Sequence, residues 1–140
     1  MRIIGGIAKG KNLFSPPETT RPTSDRAREG LFSSLESEFG SMTELNFLDL
    51  YSGSGAVGVE ALSRGASKVV SVERHQPTAL IGEKNFELVK GAEGYFEVVV
   101  SDVKKYLGNP SNMQFDIIFI DPPYDLPNNE IEKLLRKIIN

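Results

Sequence analysis

A chain of 140 residues, 39% hydrophobic and 25% charged, has enough apolar material for one domain with its own core. It has no cysteine and one histidine, which excludes disulfides and thiolate metal sites and argues against a histidine-based metal centre. The net charge of −3 hides an asymmetry: residues 1–30 carry six bases (Arg2, Lys9, Lys11, Arg21, Arg26, Arg28) against three acids, while the rest carries ten bases and sixteen acids. A basic end of this kind suggests contact with a polyanion, although a solvated surface gives the same pattern. No apolar run approaches a bilayer span, and MRIIGGIAKGK has no signal-peptide core, so the expected location is the cytoplasm.

Residues 2–15, RIIGGIAKGKNLFS, read as two short strands around a Gly/Lys turn, and SPPETTRPTS (15–24) as a proline-rich extended connector. Residues 1–24 thus form a hairpin and basic arm ahead of a main domain over 25–140. Thr23 or Ser24 caps a helix over about 25–39, whose Ala27, Leu31, Leu35 and Phe39 recur every four positions with Phe32 beside them. A repeating pattern follows. NFLDLY (46–51) is a strand, AVGVEALSR (56–64) a helix closed by Gly65, and SKVVSVE (67–73) a second strand. Pro77 opens a helix to about Lys90, stopped by Gly91. YFEVVVSD (95–102) is a third strand, a short helix covers about 103–107, FDIIFID (115–121) is a fourth strand, and EIEKLLRKII (130–139) a last helix. Strand and helix in alternation predict an α/β fold with a mostly parallel sheet and helices on both faces. Ligands of such sheets bind beyond the carboxyl ends of the strands.

Three constellations fall at those ends. Gly53, Gly55 and Gly58 fit G-x-G-x-x-G between strand and helix, and Glu73 ends the next strand, twenty residues after Gly53. The glycines permit a tight turn and close approach of a ligand to the main chain, and the acid can accept from both hydroxyls of a ribose. Together they point to a nucleoside-bearing ligand. Asp49, four residues before Gly53, would repel a pyrophosphate and suits a cationic ligand such as the amino-acid end of S-adenosylmethionine; it can also cap the loop. Asp102 ends the third strand, placed either to accept from adenine N6 or to cap the following helix. Asp121-Pro122-Pro123-Tyr124 ends the fourth. An exocyclic base nitrogen is a poor nucleophile, because its lone pair is delocalised into the ring. The Asp121 carboxylate and a carbonyl of the Pro-Pro turn can hold its N–H groups and aim that pair at an electrophilic methyl, while Tyr124 stacks on the extruded base. Asp121 then either takes the departing proton or only orients the amine. His75 reads as a surface residue with no catalytic part.

Asp-x-x-x-Gly-x-Gly followed by Asp-Pro-Pro-Tyr resembles the Rossmann-like class I S-adenosylmethionine-dependent amino-methyltransferases. RIIGG (2–6), KGK (9–11), RPTSDRAREGLFSSL (21–35), FLDLYSGSGAVGVEALSRGA (47–66), VVSVERHQPTALIGEKN (69–85) and DPPY (121–124) are similar to the bacterial 16S rRNA guanine-N2 methyltransferases of the RsmD family. The resemblance spans nearly the whole chain. It implies methyl transfer from S-adenosylmethionine, leaving S-adenosylhomocysteine, to N2 of a guanine in 16S rRNA, within the small ribosomal subunit or its assembly intermediates. By family pattern, Asp49, Tyr51, Ser52, Gly53, Gly55, Glu73, Arg74 and Asp102 hold the cofactor, and Asp121, Pro122, Pro123 and Tyr124 hold the guanine. Arg2, Lys9, Lys11, Arg21, Arg26 and Arg28 meet RNA, with Arg28 and Glu29 equally readable as a solvated helix face. No metal is implied. Family members continue past the last helix with further strands; this chain stops at Asn140, so a sheet of order 3-2-1-4 with the fourth strand as an edge is expected, the C-terminal strands being missing.

Three other readings stay open. The same Asp-Pro-Pro-Tyr turn serves adenine N6 in DNA or RNA. A nicotinamide-dependent oxidoreductase shares the glycine turn, but the Asp49 tip and the proline turn count against it. A catalytically impaired RNA-binding fragment of the same fold is the non-enzyme reading.

Overall fold

Short β-branched runs, each followed by a glycine turn or a cap and then a helix, build an α/β sheet. The computed structural model describes residues 1–16, 24–109, 114–123 and 125–139. Its elements in chain order are α1 (Asp25–Phe39), β1 (Asn46–Leu50), α2 (Ala56–Ser63), β2 (Lys68–Glu73), α3 (Gln76–Glu87), β3 (Tyr95–Val100), α4 (Val103–Leu107), β4 (Ile117–Ile120) and α5 (Asn128–Ile139). The four strands are parallel and lie in the order β3-β2-β1-β4, the expected order, with β4 at an edge. Register sets Asp49 opposite Ser71 of β2 and Phe119 of β4. This is a Rossmann-like fold.

Alternation along the strands divides the core in two. Phe47 and Val69 face one side, where Phe32, Val59, Ala61 and Phe86 cover them. Leu48, Leu50, Val70 and Val72 face the other, under Val103 and Leu134. Phe86 stacks on Phe96 with ring centres 4.7 Å apart, tying α3 to β3. Phe32 stacks on Phe47 at 6.0 Å, tying α1 to β1. The central strands are buried, whereas Ile117 to Ile120 are only half-buried because β4 pairs on one side alone among the described residues.

Three expectations need correction. The N-terminal hairpin is not a pair of strands: it narrows to one antiparallel bridge, Arg2 with Asn12, supported by main-chain bonds such as Ile3 N–H to Lys11 O at 2.9 Å. In α1 the predicted stripe is out of phase. Ser24 caps the helix, accepting from Ala27 N at 3.0 Å, but Ala27 is exposed and Phe39 is 45% exposed. The face turned inward carries Arg28 and Phe32, with Leu31 and Leu35 at its margin.

Arg28 is inward because of a second buried charge. Glu60, the one charged residue of α2, has no exposed surface. Its Oε1 accepts from Arg28 Nη1 (3.1 Å) and Ile4 N (3.0 Å); its Oε2 accepts from Arg64 Nε (2.8 Å) and Gly5 N (2.8 Å). Asp25 pairs with Arg28 and Glu36 with Arg64. Ser63 continues the seam, accepting from Ala8 N (3.0 Å) and donating to Gly5 O (2.7 Å). Gly6 lies so close that a Cβ there would fall 1.9 Å from Ser63 O. Residues 2–8 are thereby stitched onto α2. Arg28 is consequently neither an RNA contact nor part of a solvated face; at 0% exposure it belongs to this network.

Candidate active site

The carboxyl ends of the strands open into a cleft of about 1280 Å³. Asp49 near the end of β1, Glu73 at the end of β2, Asp102 just past β3 and Asp121 just past β4 all line it. Tyr51, Ser52, Gly53, Arg74 and Pro123 share its wall, as do His75, Ser15 and Pro16.

The turn between β1 and α2 is built from left-handed backbone. Tyr51 (φ 57°), Gly53 (φ 58°) and Gly55 (φ 82°) carry it. A tyrosine in that region is uncommon and marks a constrained turn. Nothing lies within 4 Å of where a Gly53 Cβ would be, so the main chain there is open to a ligand. Gly58 serves packing instead: a Cβ would fall 2.9 Å from Ser71 Oγ and 3.0 Å from Phe86 Cζ, so only glycine lets α2 lie this close to the sheet.

The four acids have distinct surroundings. Glu73, half-buried, orders the turn: Oε1 accepts from Gly53 N and Oε2 from His75 N, both at 2.9 Å. Each oxygen keeps a second acceptor site. Asp102 caps α4, Oδ1 accepting from Lys104 N at 2.8 Å and Lys105 N at 3.3 Å, while lining the cleft. Asp49 is 1% exposed, with Gly58 N–H donating to Oδ2 at 3.2 Å. Burial pushes its carboxyl up to about 8; the Gly58 N–H opposes this, and the charges of Asp121 and Glu73 add to it. Asp121 is half-buried at the head of the proline turn, where Leu126 N–H donates to Pro123 O at 3.1 Å. Tyr124 lies outside the described residues, as do Arg21 and Thr23.

The remaining basic candidates lie away from the cleft wall. Arg2, Lys9, Lys11 and Arg26 are exposed, and Lys11 Nζ donates to Leu88 O at 2.9 Å. Among the described residues no cluster of three or more His, Asp or Glu side chains is arranged to hold a metal, and no helix is long and apolar enough to cross a membrane.

Sequence reasoning passed over Asn85, Ser15 and Pro16. Asn85 has a signal: with Thr78, Gly82 and Phe86 it falls on the stripe of α3 that turns inward, where a polar side chain needs partners. The Ser15 and Pro16 positions depend on where the hairpin docks, which no local pattern encodes.

A family model described as Conserved hypothetical protein 95 matches residues 1–140. The Haemophilus influenzae protein named ribosomal RNA small subunit methyltransferase D is 36% identical over 126 residues, covering 89% of this chain and 64% of its own. The chain belongs to the RsmD family. It spans less than two thirds of the length of that curated relative. The solved structure of the Thermus thermophilus hypothetical protein TTHA0928 superposes with a TM-score of 0.85 at 31% identity, over 98% of this chain and 78% of that one. SMU.776, solved in complex with SAH, is 27% identical with a TM-score of 0.64, over 81% of this chain and 31% of its own. The stretches that mark this chain as RsmD-like do two kinds of work. RIIGG and the Asp25–Arg28 segment lock the N-terminus to α2, whereas DLYSGSG and the Asp121 turn wall the cleft.

Proposed function

We propose that this chain carries the catalytic core of an enzyme that transfers a methyl group from S-adenosylmethionine to the exocyclic N2 of a guanine in 16S rRNA, acting in the cytoplasm on the small subunit or its precursors. One observation carries the reading: carboxylates from all four strand ends line a single cleft, and the most buried, Asp49, has the Gly58 main-chain N–H as its hydrogen-bond partner among the described residues. A buried carboxyl with that environment fits a cationic ligand. The open main chain at Gly53 and the unused acceptor capacity of Glu73 fit an adenosine ribose. S-adenosylmethionine, when bound, supplies an electrophilic methyl.

The chain's own residues then divide the work. Asp49 faces the ligand's ammonium end, Glu73 accepts from the ribose hydroxyls, and Asp102, already fixed by its capping bonds, accepts from the adenine amine. Asp121 accepts an N2–H of the guanine and holds the amine in line. A carbonyl of the Pro122–Pro123 turn is the second acceptor, and Tyr124 is assigned the stacking role by its place in the motif. Positioning of this type accounts for large parts of many rate enhancements. Arg2, Lys9, Lys11 and Arg26, with Arg21, form the basic face offered to RNA phosphates.

The deciding experiment is a radiolabelled methyl-transfer assay on small subunits lacking the mark, on naked 16S rRNA and on duplex DNA, followed by mapping of the modified nucleotide. Label at one guanine N2 of 16S rRNA is the expected result. Transfer only to adenine overturns the substrate assignment, and RNA binding without transfer leaves a non-catalytic fragment.

A further inference from the structure

α3 touches both the glycine turn and the N-terminal segment. Gly82, Asn85 and Phe86 share one of its faces, and that face packs on the turn. A Cβ at Gly82 would lie 3.6 Å from Ser54 O, and one at Gly55 would lie 3.4 Å from the Phe86 ring. Asn85 has no exposed surface. Its Nδ2 donates to Ser54 O at 2.8 Å, inside the turn, and to Phe14 O at 3.0 Å; its Oδ1 accepts from Phe14 N at 2.8 Å. The two bonds to Phe14 copy the pairing of a β-bridge, with an amide side chain in place of a strand.

Both amide protons of Asn85 are therefore committed, one to each segment. The segments are remote in sequence, Ser54 being 31 residues away and Phe14 71. A buried amide that loses one partner is left with an unpaired polar group, so the fully bonded state needs the turn and Phe14 in place together. Immediately after Phe14, Ser15 and Pro16 enter the cleft wall, at the start of the stretch read from sequence as a proline-rich connector.

We propose that Asn85 is a positioning residue that couples occupancy of the glycine turn to ordering of residues 14–16. Ligand binding at the turn then readies the segment that leads to the RNA face, and by linkage an ordered segment tightens the ligand. This rests on the reading that an S-adenosyl ligand occupies the turn.

Amide hydrogen exchange at Phe14, followed by NMR on the whole chain with and without S-adenosylhomocysteine, tests it. In the wild type the ligand is expected to slow Phe14 exchange by about tenfold, a usual size for coupling between sites. In Asn85→Ala the slowing should vanish, and ligand affinity should fall by a similar factor. Unchanged Phe14 exchange in a wild-type protein that does bind the ligand overturns the coupling alone, and needs no variant to fold. Slowing that persists in Asn85→Ala also overturns it. Failure of the wild type to bind S-adenosylhomocysteine overturns the proposed function, and the coupling with it.

Discussion

Asp49 is the residue at which charge, burial and function meet. With its carboxyl raised to about 8, first by burial and then by Asp121 and Glu73, the protonated form is favoured at neutral pH in the free protein. A cationic ligand favours the carboxylate, so binding expels that proton. Affinity for S-adenosylhomocysteine, which keeps the ammonium, should rise from pH 6 to about pH 8 and then level off. Asp49→Asn should bind more weakly and lose the slope; calorimetry at three pH values checks both, and a flat wild-type profile counts against the assignment. The same shift bears on stability. An acid whose folded value lies above its ordinary one contributes stability that is full below about pH 4 and lost as pH rises through about 8. Asp49→Asn should therefore melt higher than wild type at about pH 9, with the difference shrinking at about pH 5. The other acids separate by role: Asp121→Ala should abolish methyl transfer with cofactor affinity near normal, whereas Glu73→Ala should lower that affinity and loosen Gly53. The opposite pattern would mean that the two roles are exchanged. That Asp49 stands at a strand tip is legible in the sequence. Its burial is not, because it follows from the register beside Ser71 and from the approach of Gly58.

Among the elements, α2 is the one on which the N-terminus depends. Glu60 holds two guanidinium groups and two main-chain N–H groups, from Arg28, Arg64 and residues 4–5. Removing one partner of a buried pair leaves uncompensated charge and costs about 3–5 kcal/mol. Glu60→Ala should thus lower the urea midpoint steeply and free the amides of Ile4 and Gly5 to exchange. Loss of less than about 1 kcal/mol, the range of an exposed pair, would show that the network is solvated. This network also explains the phase error in α1. Four-residue spacing of Ala27, Leu31, Leu35 and Phe39 describes a plausible apolar stripe, but the helix turns to deliver Arg28 to Glu60 and Phe32 to Phe47. The partner that decides the rotation is 32 residues away, beyond any local periodicity. Glu60 itself was not singled out from the sequence, although a lone acid in AVGVEALS, a helix in which every residue is buried, is a signal for a buried partner. The strands and their helices, by contrast, are readable to within about three residues at each end, because glycine turns and β-branched runs are local signals and right-handed crossovers then leave few arrangements.

At the scale of the whole molecule, charge sorts what the sequence lumped together. Six bases near the N-terminus gave one asymmetry, yet the fold buries Arg28 in the Glu60 network and leaves Arg2, Lys9 and Arg26 exposed. Exposed bases such as these, with Lys11, are free to meet phosphates, whereas Arg28 is not. Each phosphate contact releases counterions, so replacing one contact with a neutral residue should weaken RNA binding and reduce the slope of log affinity against log salt by roughly 0.7–0.9. The triple change Arg2→Gln, Lys9→Gln, Arg26→Gln should then lower that slope by about 2 while leaving the binding of S-adenosylhomocysteine and the unfolding midpoint close to wild type. Arg28→Gln should do the reverse, lowering the midpoint and sparing the salt slope of the protein that remains folded. Filter binding of a 16S rRNA fragment across a salt series, beside urea unfolding of each variant, separates the two effects. A slope that is unmoved by the triple change would place the RNA contact on another face of the molecule.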